Sequence, residues 1–164
     1  MSEFLYIILK SIPGGFAAVG FAILFNVPKR TLLSIFSLGF MVIFIRNTAM
    51  QIFEVNIILS SLIASVVVGF SGVYISHWRK APPLVFSIPA VIPAIPGIFL
   101  YRFMIGVITL SKGIDYDHET ILYETMNNGL KAFFIVCGLA VGVIFPNLIF
   151  RKQSFKRRRN IIED

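Results

Sequence analysis

Three prolines and a glycine stand inside one apolar stretch, Ser87-Ile88-Pro89-Ala90-Val91-Ile92-Pro93-Ala94-Ile95-Pro96-Gly97. Each proline lacks a backbone N–H, and its ring clashes with the carbonyl four residues earlier. A helix carrying all three must leave backbone groups unpaired near Pro93, Pro96 and Gly97. In a hydrocarbon setting such a break persists only where protein or a polar cavity meets the freed groups. Bare carbonyls and helix ends can then hold ions or the polar ends of a small solute. A packing kink is the plainer reading, but three prolines with a central glycine weigh toward a functional break.

Other polar side chains surround this stretch. Arg102 follows Gly97 by five residues, about 7 Å of helix rise. Its guanidinium suits a carboxylate held by two parallel hydrogen bonds, or else it is a structural arginine nearer an interface. Asn127, Asn128 and Lys131 share one face if helical and either line a polar path or, for the lysine, mark a lipid interface. Asn26 ends an apolar run, as a C-cap or as a ligand. Ser60, Ser61 and Ser65, followed by Gly69 and Gly72, fit close helix packing. His77 beside Trp78 reads as an interfacial anchor, far from His118. Asp115, Asp117 and Glu119 form an acidic stretch that either captures a cation or is simply solvated. Cys137 stands alone in an apolar run, so no disulfide framework is expected. No nucleophile–base pair, HExxH, phosphate loop or CxxC occurs. The expectation is no enzyme, no metal site and no cofactor.

The elements that must position these residues are membrane helices. Hydrophobic residues make up 57% of the 164, mean hydropathy is +0.85, and only 14% are charged, against roughly 25% in soluble domains. So few charges cannot cover so much apolar surface in water. Four runs, 4–25, 55–75, 84–110 and 130–150, reach the ~20 residues a spanning helix requires. A fifth, 31–50, is interrupted by Arg46, which is expected to snorkel to the interface. The β-branched runs are apolar on every face, which excludes barrel strands. The chain is therefore expected to be an all-α membrane protein: a bundle of about five transmembrane helices, the fourth broken by proline and glycine, over 1–150, with a basic tail at 151–164.

Orientation follows the basic residues. With the C-terminus in the cytoplasm, Lys29, Arg30, Arg79, Lys80 and the tail place ten of fifteen basic residues inside, and six of eight acidic residues outside. The run Lys156 to Arg159 lies where anionic headgroups would meet it, so the +7 net charge points to a lipid bilayer rather than nucleic acid. The N-terminus begins Met1-Ser2-Glu3 without a basic leader, so the first helix is expected to be retained. Ile12-Pro13-Gly14-Gly15-Phe16 and Ile95-Pro96-Gly97-Ile98-Phe99 echo each other, either by chance or as an inverted repeat.

The runs Gly20-Phe21-Ala22-Ile23-Leu24-Phe25-Asn26-Val27-Pro28, Ala64-Ser65 with Val68-Gly69, and Val85-Phe86 leading to Ala90-Val91-Ile92-Pro93 and Pro96-Gly97 resemble the threonine/serine exporter (ThrE) superfamily, in its YjjB-like small subunit. The resemblance covers about 13–150. It implies a secondary transporter of the bacterial inner membrane that exports small hydrophilic metabolites, threonine and serine or a dicarboxylate such as succinate. It also implies a larger, YjjP-like membrane subunit as partner. Asn26 and Pro28 match the first motif, and Pro93, Pro96 and Gly97 the second; with Arg102 and Asn127 they are the expected substrate-binding residues. Arg102 departs from the family pattern, which is not generally basic there. The rival expectation is a non-transporting membrane scaffold or assembly subunit.

Overall fold

The structure is a computed structural model. It describes residues 2–79, 81–113 and 118–162, the side chains of 2, 3 and 151–162 aside. Asp115 and Asp117 and the side chains of Lys156 to Arg159 lie outside the described residues.

Among the described residues six helices follow one another: α1 Ser2–Leu24, α2 Leu32–Gln51, α3 Ile57–Arg79, α4 Pro83–Val91, α5 Gly97–Ser111 and α6 His118–Ile162. Single turns of 3-10 helix occupy Lys29–Thr31 and Ile92–Ala94. Among the described residues four stretches, including α1 to α3, are each long and apolar enough to cross a membrane, and the bent pair α4–α5, taken as one span, makes a fifth. The expected five-span bundle with a broken fourth member is thus the fold observed.

Small residues set the helix spacing, because lipid supplies no hydrophobic drive and close backbone contact must replace it. Phe4 meets Phe44 and Phe16 meets Phe36, so α1 and α2 run antiparallel. A Cβ on Gly39 would overlap Ala18 and stand 2.9 Å from the Gly14 oxygen. Parallel contact joins α3 and α6: Ser65 Oγ donates to the Gly138 oxygen at 3.2 Å, and a Cβ on Gly69 would lie 2.6 Å from the Gly142 oxygen. Ser60, Ser61, Ser65, Gly69 and Gly72 are all buried, in the packing role expected of them. The interior helix is α4, whose Phe86 and Ala90 join Ala94, Ile35, Leu38, Val68 and Ile135 in the core.

Three details differ from the sequence expectation. α6 begins at His118 rather than near 130. Hydropathy registers only the apolar part, whereas the polar turns before it gain helix-stabilising contact from α5. Secondly, α6 continues to Ile162, so the backbone of most of the basic tail is helical. Thirdly, the two echoing pentapeptides adopt different structures. α1 passes through Pro13 unbroken, with Gly14 and Gly15 pressed against Ile43 and Phe36 of α2. The chain breaks at Pro96 instead, because Pro89 and Pro93 have already weakened the helix there.

Candidate functional site

The break is built residue by residue. Pro93 and Pro96 cannot donate, so the Ile92 carbonyl takes the Ile95 N–H at 3.0 Å in a 3-10 turn. Ile95, preceding a proline, is forced extended, with ψ 133. Pro96 follows with φ −81 and ψ 68, an inverse γ-turn closed by Gly97 N–H to the Ile95 oxygen at 2.9 Å. α5 then departs at 57° from the preceding segment. Pro96 and Ala94 are buried, whereas Ile95 and Gly97 are exposed.

The break sets the Ala94 carbonyl free, and the acceptor is not left bare. Arg46 Nη1 donates to it at 2.9 Å. Arg46 lies about 22 Å along α2 from Thr31 and about 8 Å short of Gln51, while Ala94 stands about 17 Å above Pro83 by helix rise. Both groups therefore sit inside the bundle, beyond its middle as measured from the end that carries Lys29, Arg30 and Arg79. The expectation that Arg46 snorkels to the interface is corrected: a carbonyl within reach in the interior holds the guanidinium instead. Arg46 Nε is buried without a hydrogen-bond partner, and so is Thr48 Oγ1, on the other side of α2. Insertion scales give about 2.5–3.5 kcal/mol for an arginine at a helix centre, and less at Arg46, which lies nearer the end of α2. Sequence reasoning missed this contact because it joins residues 48 positions apart. The one available signal was an arginine inside an apolar run together with a run of freed carbonyls elsewhere.

Beyond the break, α5 and the first part of α6 form a hairpin. Its seam is narrow: a Cβ on Gly106 would overlap Thr125 Oγ1, and one on Gly129 would lie 2.6 Å from the Phe103 ring. The hairpin flanks an open cavity of about 550 Å³ whose lining includes Phe99, Arg102, Glu124, Asn127, Asn128 and Lys131. Lys131 Nζ stands 5.9 Å from the centre of the Phe99 ring, in range of a cation–π contact. Asn128 Nδ2 donates to the Glu124 backbone carbonyl at 2.8 Å. Arg102, Asn127, Asn128 and Lys131 thus meet in one place, as the sequence spacing allowed. Two cations against one carboxylate give the cavity a positive balance.

Helix register gives the depth of the cavity and of Arg102. Leu62 packs on Gly138 and Phe70 on Phe150, a register that puts Lys131 about level with the start of α3. The cavity therefore opens at the end of the bundle opposite Arg79, and Arg102 is an exposed arginine of that end. The bend at Pro96 is what carries it there. Pro93, Pro96 and Gly97 lie one to two turns deeper, at the break.

Asn26 belongs elsewhere. It has φ 55, its N–H reaches the Ile23 oxygen, and the Val27 N–H reaches the Ala22 oxygen, both at 3.0 Å. These bonds form a Schellman cap at the opposite end of the bundle from Arg102. His77 binds its own helix through Nδ1 and the Val73 oxygen at 2.9 Å. Among the described residues no group of three or more His, Cys, Asp or Glu is placed to hold a metal ion.

Helices apolar on nearly every face, close-packed through small residues and interrupted by one broken helix, define a multi-pass membrane protein. Its family is specific: residues 11–149 match the family described as Threonine/Serine exporter, ThrE, and the chain belongs to that family. It is accordingly a threonine/serine exporter-type transporter protein. No solved structure matches it.

Proposed function

We propose that this chain is the small, YjjB-like membrane subunit of a split exporter, resident in the bacterial cytoplasmic membrane with its C-terminus inside. It acts with a larger, YjjP-like membrane subunit to move threonine and serine, or a dicarboxylate such as succinate, out of the cell. The observation that carries this reading is the interrupted α4–α5 backbone, whose freed carbonyl takes a hydrogen bond from an interior arginine in a chain of the exporter family. Pro93, Pro96 and Gly97 form the discontinuous element about which the two sides alternate in access. The Arg102, Asn127 and Lys131 cavity is the external vestibule, where positive charge draws the carboxylate end of the solute and the Asn127 amide meets its polar groups. Asn26 serves as a cap in this reading.

The larger subunit seats on α5. Substantial contact of α5 is with α6 alone, and Ile98, Tyr101 and Met104 are 68%, 66% and 58% exposed. The same exposed face favours the second reading, a scaffold whose broken helix docks a partner and lines no path.

The deciding experiment is efflux of threonine, serine and succinate from cells expressing this chain alone, its larger neighbour alone, or both. Efflux of at least one solute with both chains is expected, and no change in any arm would overturn the proposal. Replacing Pro93 and Pro96 by alanine separates the two readings. A transporter loses flux while keeping its partner; a scaffold loses the partner first.

A further inference from the structure

Arg46 carries a fixed positive charge into the bundle, and its hydrogen bonding there is incomplete. Nη1 is engaged by the Ala94 oxygen at 2.9 Å. Nε is buried without an acceptor. The edge formed by Nε and Nη2 is the one that receives a carboxylate through two parallel bonds, and among the described residues no carboxylate pairs with it. A neutral carbonyl compensates a guanidinium only in part. That carbonyl is also a product of the break, since an unbroken helix would have bound the Ala94 oxygen to the N–H of residue 98. The molecule therefore brings an incompletely compensated cation, oriented by one bond, against the interrupted backbone between α4 and α5.

We infer that Arg46 is the binding residue for a carboxylate of the transported solute, with the Ala94 carbonyl holding the guanidinium in register. The inference rests on the transport reading above and deepens it: Arg46 is the residue that takes the solute's carboxylate, so an amino alcohol of the same shape is not a substrate. Nε is sealed in the arrangement described, so the carboxylate enters as the α4–α5 bend moves, the step alternating access supplies. The vestibule with Arg102 and Lys131 lies further out and is the first of two positive stations along one path.

The first arm of the test needs no substitution. Membranes containing this chain and its larger neighbour are treated with phenylglyoxal, which modifies arginine, and modification is read peptide by peptide. Probes are threonine, succinate, threoninol (threonine without its carboxylate) and chloride. Arg46 is expected to react, and a carboxylate solute at about ten times its Kd is expected to slow that reaction about tenfold by mass action. Threoninol and chloride should leave the rate unchanged, as should every probe at Arg30, exposed on the 3-10 turn before α2. An Arg46 that never reacts, or reacts equally with and without carboxylates while efflux is intact, overturns the assignment and leaves the exporter reading standing. Equal protection by chloride also overturns it, since the site would then be a general anion site. Absent efflux with both chains present would overturn the transport reading itself. As a second arm, Arg46→Lys keeps the charge but loses the fork, and should weaken carboxylate protection of efflux-competent membranes against heat about tenfold in half-effective concentration. An unchanged concentration would count against a fork at this position.

Discussion

Gly106→Ala is a severe test of the α5–α6 hairpin, because the added atom has nowhere to go. A Cβ there overlaps Thr125 Oγ1 and stands 2.9 Å from Thr125 Cβ and 3.0 Å from its Cγ2. Carbon pairs are comfortable near 3.5–4.0 Å, so the helices must part by about 1 Å, or Thr125, itself buried, must leave its place. Overpacking of this kind costs about 1–3 kcal/mol. Three Thr125 atoms at 3.0 Å or closer put this site in the upper part of that range, about 2–3 kcal/mol; Gly-to-Ala within a helix returns about 1 kcal/mol of propensity, so a net loss of roughly 1–2 kcal/mol is expected. Thermal unfolding in detergent reads this as a fall of about 2–8 °C for a chain of this size. The double variant Gly106→Ala with Thr125→Gly moves the small residue to the other helix and should recover at least half of the loss, a coupling that independent sites would not show. Gly106→Ala with wild-type stability, or a double variant no better than the sum of its parts, would refute the packing of α5 on α6.

The other predictions are simpler. Gly20→Ala meets nothing within 4 Å and should stabilise α1 by about 0.5–1 kcal/mol, seen as a rise in melting temperature. Asn26→Gly should be close to neutral, whereas Asn26→Val, forced to φ 55, should cost about 1–2 kcal/mol in the same assay without altering solute affinity. Arg102→Gln and Lys131→Gln should each raise the half-saturating solute concentration of efflux about tenfold, the loss of one charge-assisted bond, with the partner subunit still co-purifying.

Much of this was legible because the bilayer imposes simple rules. Span length, the flanking basic residues and the three prolines of 89–96 located the bundle and its break. The shared face of Asn127, Asn128 and Lys131 likewise follows from helical spacing. What hydropathy does not show is the polar half of α6. Residues 118–129 are helical through packing on α5, and a window tuned to apolar content passes over them. The contact of Arg46 with Ala94 depends on how α2 and α4 lie against each other, a relation no local pattern carries. Nor does sequence separate Pro13 from Pro96. One proline is absorbed where glycines pack the helix tightly, and another ends a helix that two earlier prolines have already weakened.

The central claim is that water and solute reach the interrupted backbone. Ile95, extended and 41% exposed within the break, is the position to question. In a chain with Cys137→Ala, Ile95→Cys should react in intact membranes with a charged, membrane-impermeant thiol reagent, and threonine or succinate should slow that reaction. A cysteine at Ile95 that stays as unreactive as one at Val141, an exposed position in the apolar middle of α6, with or without solute, would contradict the account.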